Sequence, residues 1–193
     1  NFPITNVEQN TDRFSRYKTV EASMAKRHGN RWSAQVGGSY TWSNDFPGAY
    51  PNDPNGQFAE PTTRWDFKVS GSVDAPFGIR ISPLVRHQAG LNFARQISVG
   101  SAAATAAGAI YSGTIYAEAR DARRQDNITV FDIRAERAFK VVGKVRARVI
   151  GDLFNITNTN AVETRTVTTG SAFNRPTAVL APRTARIGVR LTF

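Results

Sequence analysis

Strict alternation of apolar and polar residues is the feature that most constrains this chain, and residues 31–43, RWSAQVGGSYTWS, show it most clearly. Successive side chains of a β-strand point to opposite faces, so this segment predicts a strand with one apolar and one polar face. A tryptophan lies near each end of the apolar face. The apolar set is Trp32, Ala34, Val36, Gly38, Tyr40 and Trp42.

The same period of two recurs along the chain and predicts seven strands. Six of them form three pairs, joined by short turns at residues 28–30, 76–78 and 140–143. Two residues depart from the pattern, since Leu84 lies on a polar face and Pro83 removes a main-chain donor. The predicted strands are 16–27, 31–43, 64–75, 79–88, 130–139, 144–154 and 184–193.

Short and long connections alternate strictly between these strands. The long ones run through residues 44–63, 89–129 and 155–183, and loops of more than about 12 to 15 residues are uncommon in compact soluble domains. Short turns at one end and long loops at the other are typical of outer-membrane barrels. The pattern therefore predicts an all-β fold, an antiparallel up-and-down transmembrane β-barrel.

Composition is compatible with this prediction but does not decide it. The chain is 40% hydrophobic and has no apolar run near the roughly 18 residues of a spanning helix, so a helical membrane protein is excluded. A formal charge of +10 would attract nucleic acid, anionic lipid or an anionic solute. Because the chain has no basic run, basic helix or RNA-binding signature, we expect no nucleic-acid partner. The absence of cysteine excludes disulfides and thiolate metal sites.

The spacing of Trp32 and Trp42 matches the thickness of a membrane. Ten steps of about 3.3 Å along a strand tilted by about 45° rise roughly 23 Å. A membrane barrel has a lipid-facing apolar band of about 25 Å between two aromatic girdles, whereas strands of soluble proteins usually have about 5 to 6 residues. We therefore predict that the apolar faces contact lipid. The predicted lipid-facing aromatic girdle comprises Trp32, Tyr40, Trp42, Trp65, Phe131 and Phe139.

The last strand carries a more specific pattern. In RIGVRLTF, Arg186 stands two residues before Gly188, and large apolar residues occupy Leu191 and the final position, Phe193. This resembles the insertion signal of bacterial outer-membrane barrels, which the barrel assembly machinery recognises. The pattern predicts a location in the outer membrane of a Gram-negative bacterium, where lipid and lipopolysaccharide surround the barrel.

Several longer segments resemble one family in particular. They are SRYKTVEASMAKRHGNRWSAQVGGSYTWS, DAPFGIRISPLVRHQAG, DLFNITNTN and APRTARIGVRLTF. They resemble the final barrel strands of TonB-dependent outer-membrane transporters, most closely the Oar-like receptors with an N-terminal carboxypeptidase-regulatory-like domain. The resemblance covers nearly the whole chain. It implies a 22-stranded barrel, a plug domain, coupling to TonB, and uptake of an unidentified small or peptide ligand.

Seven strands do not make a complete barrel. Single-chain bacterial barrels have even strand numbers, and open sheet edges cannot lie in hydrocarbon. We therefore expect residues 1–193 to be the C-terminal part of an outer-membrane barrel domain, without the plug domain. Two alternatives stay open. One is a complete eight-stranded barrel with a structural or adhesive role, its extra strand near Ala109–Ala117 or Val162–Thr168; the other is a soluble β-sandwich that binds polyanions.

The polar faces would line the interior of such a barrel. Their charges would form cross-strand ion pairs in the wall, contact the plug, or favour anionic solutes. We prefer ion pairs because opposite charges occur on neighbouring strands, and we expect ligand recognition in the long loops. The predicted lumen-facing charges are Glu21, Arg64, Asp66, Arg80, Arg86, Asp132, Arg134, Glu136, Arg146, Arg148, Asp152 and Arg190.

Catalysis has no support in the sequence. His28 and His87 lie far apart, with no carboxylate at a ligand or triad spacing, so we predict no enzyme, no metal site and no cofactor. The asparagines of NITNTN, residues 155–160, are expected to shape a turn by bonding their own main chain. One basic residue, Arg137, falls on an apolar face near a strand end, where its long side chain can reach the interface.

Two neighbouring substitutions test the prediction that the apolar face contacts lipid. Val36→Arg places a charge at mid-strand on that face, so we expect it to destabilise the protein folded in a bilayer by about 2 to 4 kcal/mol. Gln35→Arg places the same charge on the opposite face and is expected to be nearly neutral. Folding titrations in lipid vesicles measure both values, and equal losses would contradict lipid exposure.

Overall fold

The computed structural model describes residues 14–45, 60–100 and 113–193, and its main element is a seven-stranded antiparallel sheet. The strand order is β1-β2-β3-β4-β9-β10-β13, so strands that follow one another in the chain are neighbours throughout. All seven predicted strands are confirmed. Their bounds are β1 Arg16–Gly29, β2 Trp32–Asp45, β3 Glu60–Asp74, β4 Ile79–Gln88, β9 Ile128–Val142, β10 Val145–Phe154 and β13 Thr184–Thr192.

The three short connections lie together at one end of the sheet, called here the turn end; the opposite end is the loop end. Asn30 and Arg31 both have positive φ, at 53° and 70°, as a two-residue hairpin turn of the primed type requires. The predicted turn at 28–30 was therefore placed too early, since β1 continues through Gly29. The predicted turn at 140–143 was too long, because β9 continues to Val142. The turn at Pro76–Gly78 is confirmed.

The register between strands aligns the apolar residues of all seven strands on one face. One row of cross-strand partners, for example, joins Met24, Val36, Val69, Val85 and Phe131 in that order. Directly opposed residues of adjacent strands share a face, so this row belongs to a single surface. We call this surface the apolar face and the opposite surface the charged face.

The sheet is open, with β1 and β13 as its two edges. The prediction of an all-β antiparallel fold is confirmed, and seven strands in meander order are compatible with part of a barrel. Among the described residues, no helix is long and apolar enough to cross a membrane.

The long connections carry short strands of their own, at the loop end. Three two-stranded sheets, β5-β8, β6-β7 and β11-β12, form there. The segments suggested for an eighth barrel strand supply β7 and β11, and neither joins the seven-stranded sheet; residues 109–112 of the first segment lie outside the described residues. The bounds are β5 Asn92–Phe93, β6 Gln96–Val99, β7 Gly113–Tyr116, β8 Arg123–Arg124, β11 Val162–Arg165 and β12 Pro176–Val179.

The described residues have no apolar core of the usual kind. Large apolar side chains on the apolar face are exposed, including Met24 at 74%, Val73 at 48% and Phe67 at 45%. Burying a large apolar side chain is normally worth about 1.5 to 3 kcal/mol, and no described large side chain is fully buried. The buried residues are instead small or polar: Gly90, Ala94, Val130, Ala161, Asp132, Asp152 and Asn155.

Adjacent glycines of β2 provide a test of this register. A Cβ added at Gly38 would lie 2.7 Å from the carbonyl oxygen of Asp66 on β3, whereas one added at Gly37 meets nothing closer than 3.6 Å. Gly38→Ala must therefore displace main chain, and we expect it to lower the free energy of unfolding by about 1 to 3 kcal/mol. Gly37→Ala is the matched control and should cost nothing. Urea titration in detergent micelles measures both, and equal stability of the two variants would contradict the close approach of β2 and β3.

Candidate functional site

The charged face contains all twelve charged residues that the sequence predicted for a lumen-facing surface, because the register places them opposite one another on a single side of the sheet. Glu21, for example, opposes Ser39, and Arg80 opposes Glu136.

Asp152 is the most connected carboxylate of the charged face. Its oxygens accept hydrogen bonds from Arg134 at 2.6 Å and from Arg186 at 2.7 Å. The Asp152 side chain is only 5% exposed, whereas the two arginine side chains are 45% and 62% exposed. The three residues belong to β9, β10 and β13, so this charge-assisted triad ties three adjacent strands together.

Further ion pairs follow the charged face toward β3. Asp74 pairs with Arg80 at 2.7 Å, and the Nε2 of His28 lies 3.1 Å from the same carboxylate. The remaining pairs are Arg86–Asp132 at 3.4 Å and Arg148–Glu136 at 3.3 Å. The prediction of cross-strand ion pairs is confirmed for these residues.

Positive charge remains in excess on the charged face. Arg64, Arg146 and Arg190 have no carboxylate within 4.0 Å among the residues that the structure describes. Arg190 lies directly opposite Arg148 in the register, and like charges placed opposite one another are destabilising. The paired charges therefore link neighbouring strands of the sheet. The three unpaired arginines can contact an anionic surface or solute.

Five of the six predicted girdle aromatics lie at the two ends of the sheet. Tyr40 stacks on Trp65 with ring centres 5.9 Å apart and contacts Trp42 at 4.3 Å, toward the loop end. Trp32 and Phe139 lie beside the turns at the other end. Phe131 shares a cross-strand row with Val36, although it is the fourth residue of β9 and so lies close to the loop end of its own strand.

Arg137 lies on the apolar face, as the alternation predicted, and is close to the turn end. Its cross-strand partner Ile79 is the first residue of β4. The guanidinium lies 4.8 Å from the centre of the Phe139 ring, a cation–π contact that partly offsets the lack of a charged partner.

The residues of the predicted insertion signal lie along β13 at the open edge. Arg186 belongs to the ion triad, and Leu191 opposes Ala147. A Cβ at Gly188 would have nothing within 4 Å, and Phe193 is 98% exposed. This edge therefore presents an apolar side and free main-chain groups to a neighbour.

At the loop end, the long connections are held by arginines in contact with aromatic rings. The guanidinium groups of Arg95 and Arg123 lie 4.6 Å and 5.1 Å from the centre of the Phe173 ring. Arg123 donates to the Glu118 carboxylate at 2.7 Å, and the main-chain N–H of Arg95 donates to the same carboxylate at 2.8 Å. These contacts join Arg95 and residues 118–123 to the segment that contains Phe173.

Arg124 joins the same loops to the sheet. It donates to the Asn92 side chain at 3.1 Å and to the carbonyl and hydroxyl oxygens of Thr63 at 2.6 and 2.7 Å. Its guanidinium lies 4.8 Å from the Trp65 ring centre. A cleft of about 420 Å³ opens beside it, lined by Trp42, Pro61, Thr63, Asn92, Asp121 and Arg124 among others.

The alternation of apolar and polar residues did not single out these loop arginines. The available signal was three arginines within five residues, Arg120, Arg123 and Arg124, next to the aromatic Tyr116. Arg120 is 10% exposed, pairs with Glu60 at 3.0 Å and lies 4.4 Å from the Tyr116 ring centre. Because these arginines lie in a loop and not in an alternating strand, their clustering indicates that they hold the loop in place through specific contacts.

The asparagines of residues 155–160 shape a turn, as predicted. The Asn155 side chain accepts from the N–H of Thr159 at 3.0 Å and donates to the Ala181 carbonyl at 2.8 Å. Its own N–H donates to Asp132 at 2.8 Å.

His87 contacts the Thr129 hydroxyl at 2.8 Å, and no group of three potential metal ligands is found in the described part of the chain.

Comparison with known proteins gives no match. No protein-family model matches the chain, and no curated protein or solved structure is significantly similar to it. The function is therefore inferred from the two faces of the sheet and from the loops.

The Glu118 contact predicts a pH-dependent loop. The hydrogen bond from Arg123, followed by that from the Arg95 N–H, lowers the pKa of Glu118 below its ordinary value of 4.5, against the opposing effect of desolvation. A lowered pKa means that this carboxylate stabilises the folded loop above about pH 4.5 and that the contribution is lost as the pH falls through the lower folded value. Hydrogen exchange of residues 95–100 and 113–123 should therefore accelerate, beyond its intrinsic pH dependence, as the pH falls below about 4.5.

Two variants separate this effect from general acid unfolding. Glu118→Gln should remove the acid-induced acceleration, because its side chain does not titrate. Glu163→Gln, at an exposed carboxylate of β11, should leave the acceleration unchanged. The same acceleration in the Glu118→Gln variant would contradict the role of the contact.

Proposed function

We propose that this chain forms seven consecutive strands of a TonB-dependent transporter barrel in the outer membrane of a Gram-negative bacterium. The observation that carries the proposal is the inverted distribution of polarity across the sheet. Exposed Met24, Val73 and Phe67 lie on the apolar face, while the buried carboxylates Asp132 and Asp152 lie on the other. A membrane barrel needs this arrangement, with apolar residues toward lipid and polar residues toward the lumen.

The distribution of charge between the two faces supports the same proposal. Every carboxylate within the seven described strands lies on the charged face by register. The apolar face carries basic residues near its ends, among them Lys18 toward the loops and Arg137 toward the turns. An ion at the centre of a bilayer is costly, but long basic side chains near a rim reach the interface. The carboxylates are Glu21, Asp45, Glu60, Asp66, Asp74, Asp132, Glu136 and Asp152.

Strand length is a further support. β1 and β2 have 14 residues, and β3 and β9 have 15. At about 3.3 Å per residue and a tilt near 45°, 14 residues rise roughly 33 Å. This exceeds the lipid-facing band of about 25 Å, so such strands would extend beyond the hydrocarbon at the loop end.

The open edges of β1 and β13 favour a larger barrel over a small one. In hydrocarbon, the unpaired main-chain groups of both edges would each cost several kcal/mol. Additional strands would satisfy them. The four segments that resemble TonB-dependent transporters support a 22-stranded parent barrel, in which neighbouring strands would pair with both edges.

On this proposal, the paired charges around Asp152 line the wall or contact a plug, and the loops recognise the ligand. The arginine and aromatic contacts around Phe173 hold the loops in defined positions, as a receptor for a small or peptide ligand requires. The ligand would then pass through the lumen at the expense of TonB-transmitted energy.

Cysteine substitution tests directly whether the apolar face contacts lipid, because the native chain has no cysteine. Val69 and Ser70 are adjacent in the central part of β3 and lie on opposite faces. In outer membranes of cells that produce the protein from its complete reading frame, a water-soluble maleimide should label Ser70→Cys at least about tenfold faster than Val69→Cys, because hydrocarbon excludes the reagent. A lipid-soluble maleimide should reverse the order. Rapid aqueous labelling of Val69→Cys would refute the lipid contact.

A further inference from the structure

Phe77 lies at the tip of the turn that joins β3 to β4. Its backbone has φ 63° and ψ 18°, in the left-handed region, and the residue is 81% exposed. Glycine and asparagine adopt this conformation readily, whereas it is strained for a bulky side chain. Because so exposed a ring makes few contacts with its own chain, packing does not explain why an aromatic residue occupies this position.

Neither additional strands nor the membrane would cover this ring. β3 and β4 are interior strands of the sheet, so strands added at its edges would leave the turn between them unchanged. Trp32, which belongs to the aromatic residues of the turn end, lies opposite Val73. The chain continues beyond Val73 before it reaches Phe77. In the proposed barrel, the ring therefore lies outside the aromatic girdle, on the periplasmic side.

The turns on either side of Phe77 are strongly basic. The strand order places the β1–β2 turn and the β9–β10 turn two strand spacings, roughly 10 Å, from the β3–β4 turn. The N–H of Asp74 donates to the carbonyl oxygen of Arg31 at 2.8 Å and joins the first turn to the middle one. Residues 26–31, 74–80 and 137–146 contain eight lysines and arginines and a single carboxylate, that of Asp74.

Three of these eight cations are occupied by the chain itself. Arg80 pairs with Asp74, Lys26 donates to two main-chain carbonyl oxygens near its own turn, and Arg137 lies over an aromatic ring. The other five are exposed and have no carboxylate within 4.0 Å among the residues that the structure describes. They are Arg27, Arg31, Lys140, Lys144 and Arg146. The turn end therefore presents an apolar ring between two groups of uncompensated positive charges.

We propose that the turn end binds an acidic polypeptide. Phe77 would enter an apolar pocket of this partner, and the basic residues of the two outer turns would contact carboxylates around the pocket. We call Phe77, Arg27, Arg31, Lys140 and Lys144 the docking surface. An aromatic anchor at the centre with charged residues around it is the usual arrangement of protein–protein interfaces. This inference rests on the proposed function for its location alone, because an outer-membrane barrel directs its short turns to the periplasm.

The backbone of the middle turn holds Phe77 ready for such a contact. The N–H of Ala75 donates to the carbonyl oxygen of Ile79 at 2.7 Å, and the N–H of Ile79 donates to the carbonyl oxygen of Pro76. These bonds close the turn at both ends and fix the left-handed residue between them. A side chain presented on a fixed backbone loses less conformational entropy on binding, so the strained conformation favours a partner.

Photo-crosslinking in intact cells tests the docking surface. Phe77 is replaced by the photoreactive analogue p-benzoylphenylalanine in cells that produce the protein from its complete reading frame. Ultraviolet light should join residue 77 to a protein whose crosslinked segment, identified by mass spectrometry, contains more Asp and Glu than Lys and Arg. The same analogue at Ile97, an exposed apolar residue of β6 at the loop end, should not give this adduct.

Two charge-matched double variants test the basic turns. R27Q/K144Q removes one cation on each side of Phe77 and should lower the yield of the adduct about threefold to tenfold, since an exposed ion pair contributes a factor of a few. R16Q/K18Q removes the same charge at the loop end of β1 and should leave the yield unchanged. None of these four side chains has a carboxylate partner among the described residues, so both variants should fold.

Phe77→Asn separates binding from stability. Asparagine tolerates the left-handed backbone, so the variant should unfold in detergent micelles at a urea concentration no lower than the native protein. A synthetic peptide with the sequence of the crosslinked segment should nevertheless bind the variant about thirtyfold more weakly, as expected when a central aromatic anchor is removed.

Four results would overturn the docking surface: an adduct with lipid alone, no adduct, an adduct whose yield is unchanged in R27Q/K144Q, or a less stable Phe77→Asn variant. The membrane location fails separately. Rapid aqueous labelling of Val69→Cys would overturn the location without deciding which partner residue 77 contacts. Protection of Val69→Cys together with any of the four results would overturn the docking surface alone.

Discussion

The register of the main-chain ladder is the constraint on which the rest of this structure depends. Side chains of a strand repeat every two residues, so a slip of one residue would move a whole strand's apolar set to the opposite face. The two-residue turn at Asn30 and Arg31 holds β1 and β2 in register. The triad of Arg134, Asp152 and Arg186 ties β9, β10 and β13 together only when these strands are aligned as observed.

A sheet with this register has its polarity inverted relative to a water-soluble domain. Apolar area removed from water contributes about 25 cal/mol per Å², yet side chains such as Met24 and Phe67 remain exposed. Carboxylates such as Asp152 are the buried groups and depend on arginine partners for their stability. The polypeptide by itself therefore gains little from the hydrophobic effect on its apolar face. In our proposal, the membrane supplies the missing apolar surroundings, and additional strands supply partners for the two edges.

The loops follow a different physical rule from the sheet. Residues far apart in the chain, such as Arg95 and Phe173, are held together by guanidinium groups that use aromatic faces and neutral oxygens as well as carboxylates. An arginine has five N–H donors, and Arg124 uses only part of this capacity. Loops built in this way are positioned by the protein and still retain donors for a ligand. This combination underlies the proposed recognition role.

The alternation along the chain determined by itself that seven strands form, which residues share a face, and that Arg137 lies on the apolar side, because side-chain direction in a strand is a local property. It did not determine the strand ends, since the turn at Asn30 and Arg31 depends on backbone conformations that sequence patterns mark only weakly. Only the tertiary structure decided that Asp152 receives two arginines, that Val162–Arg165 pairs with β12 rather than with the main sheet, and that Arg124 reaches Thr63. These contacts join residues 11 to 61 positions apart, and no period in the sequence records which distant partners meet.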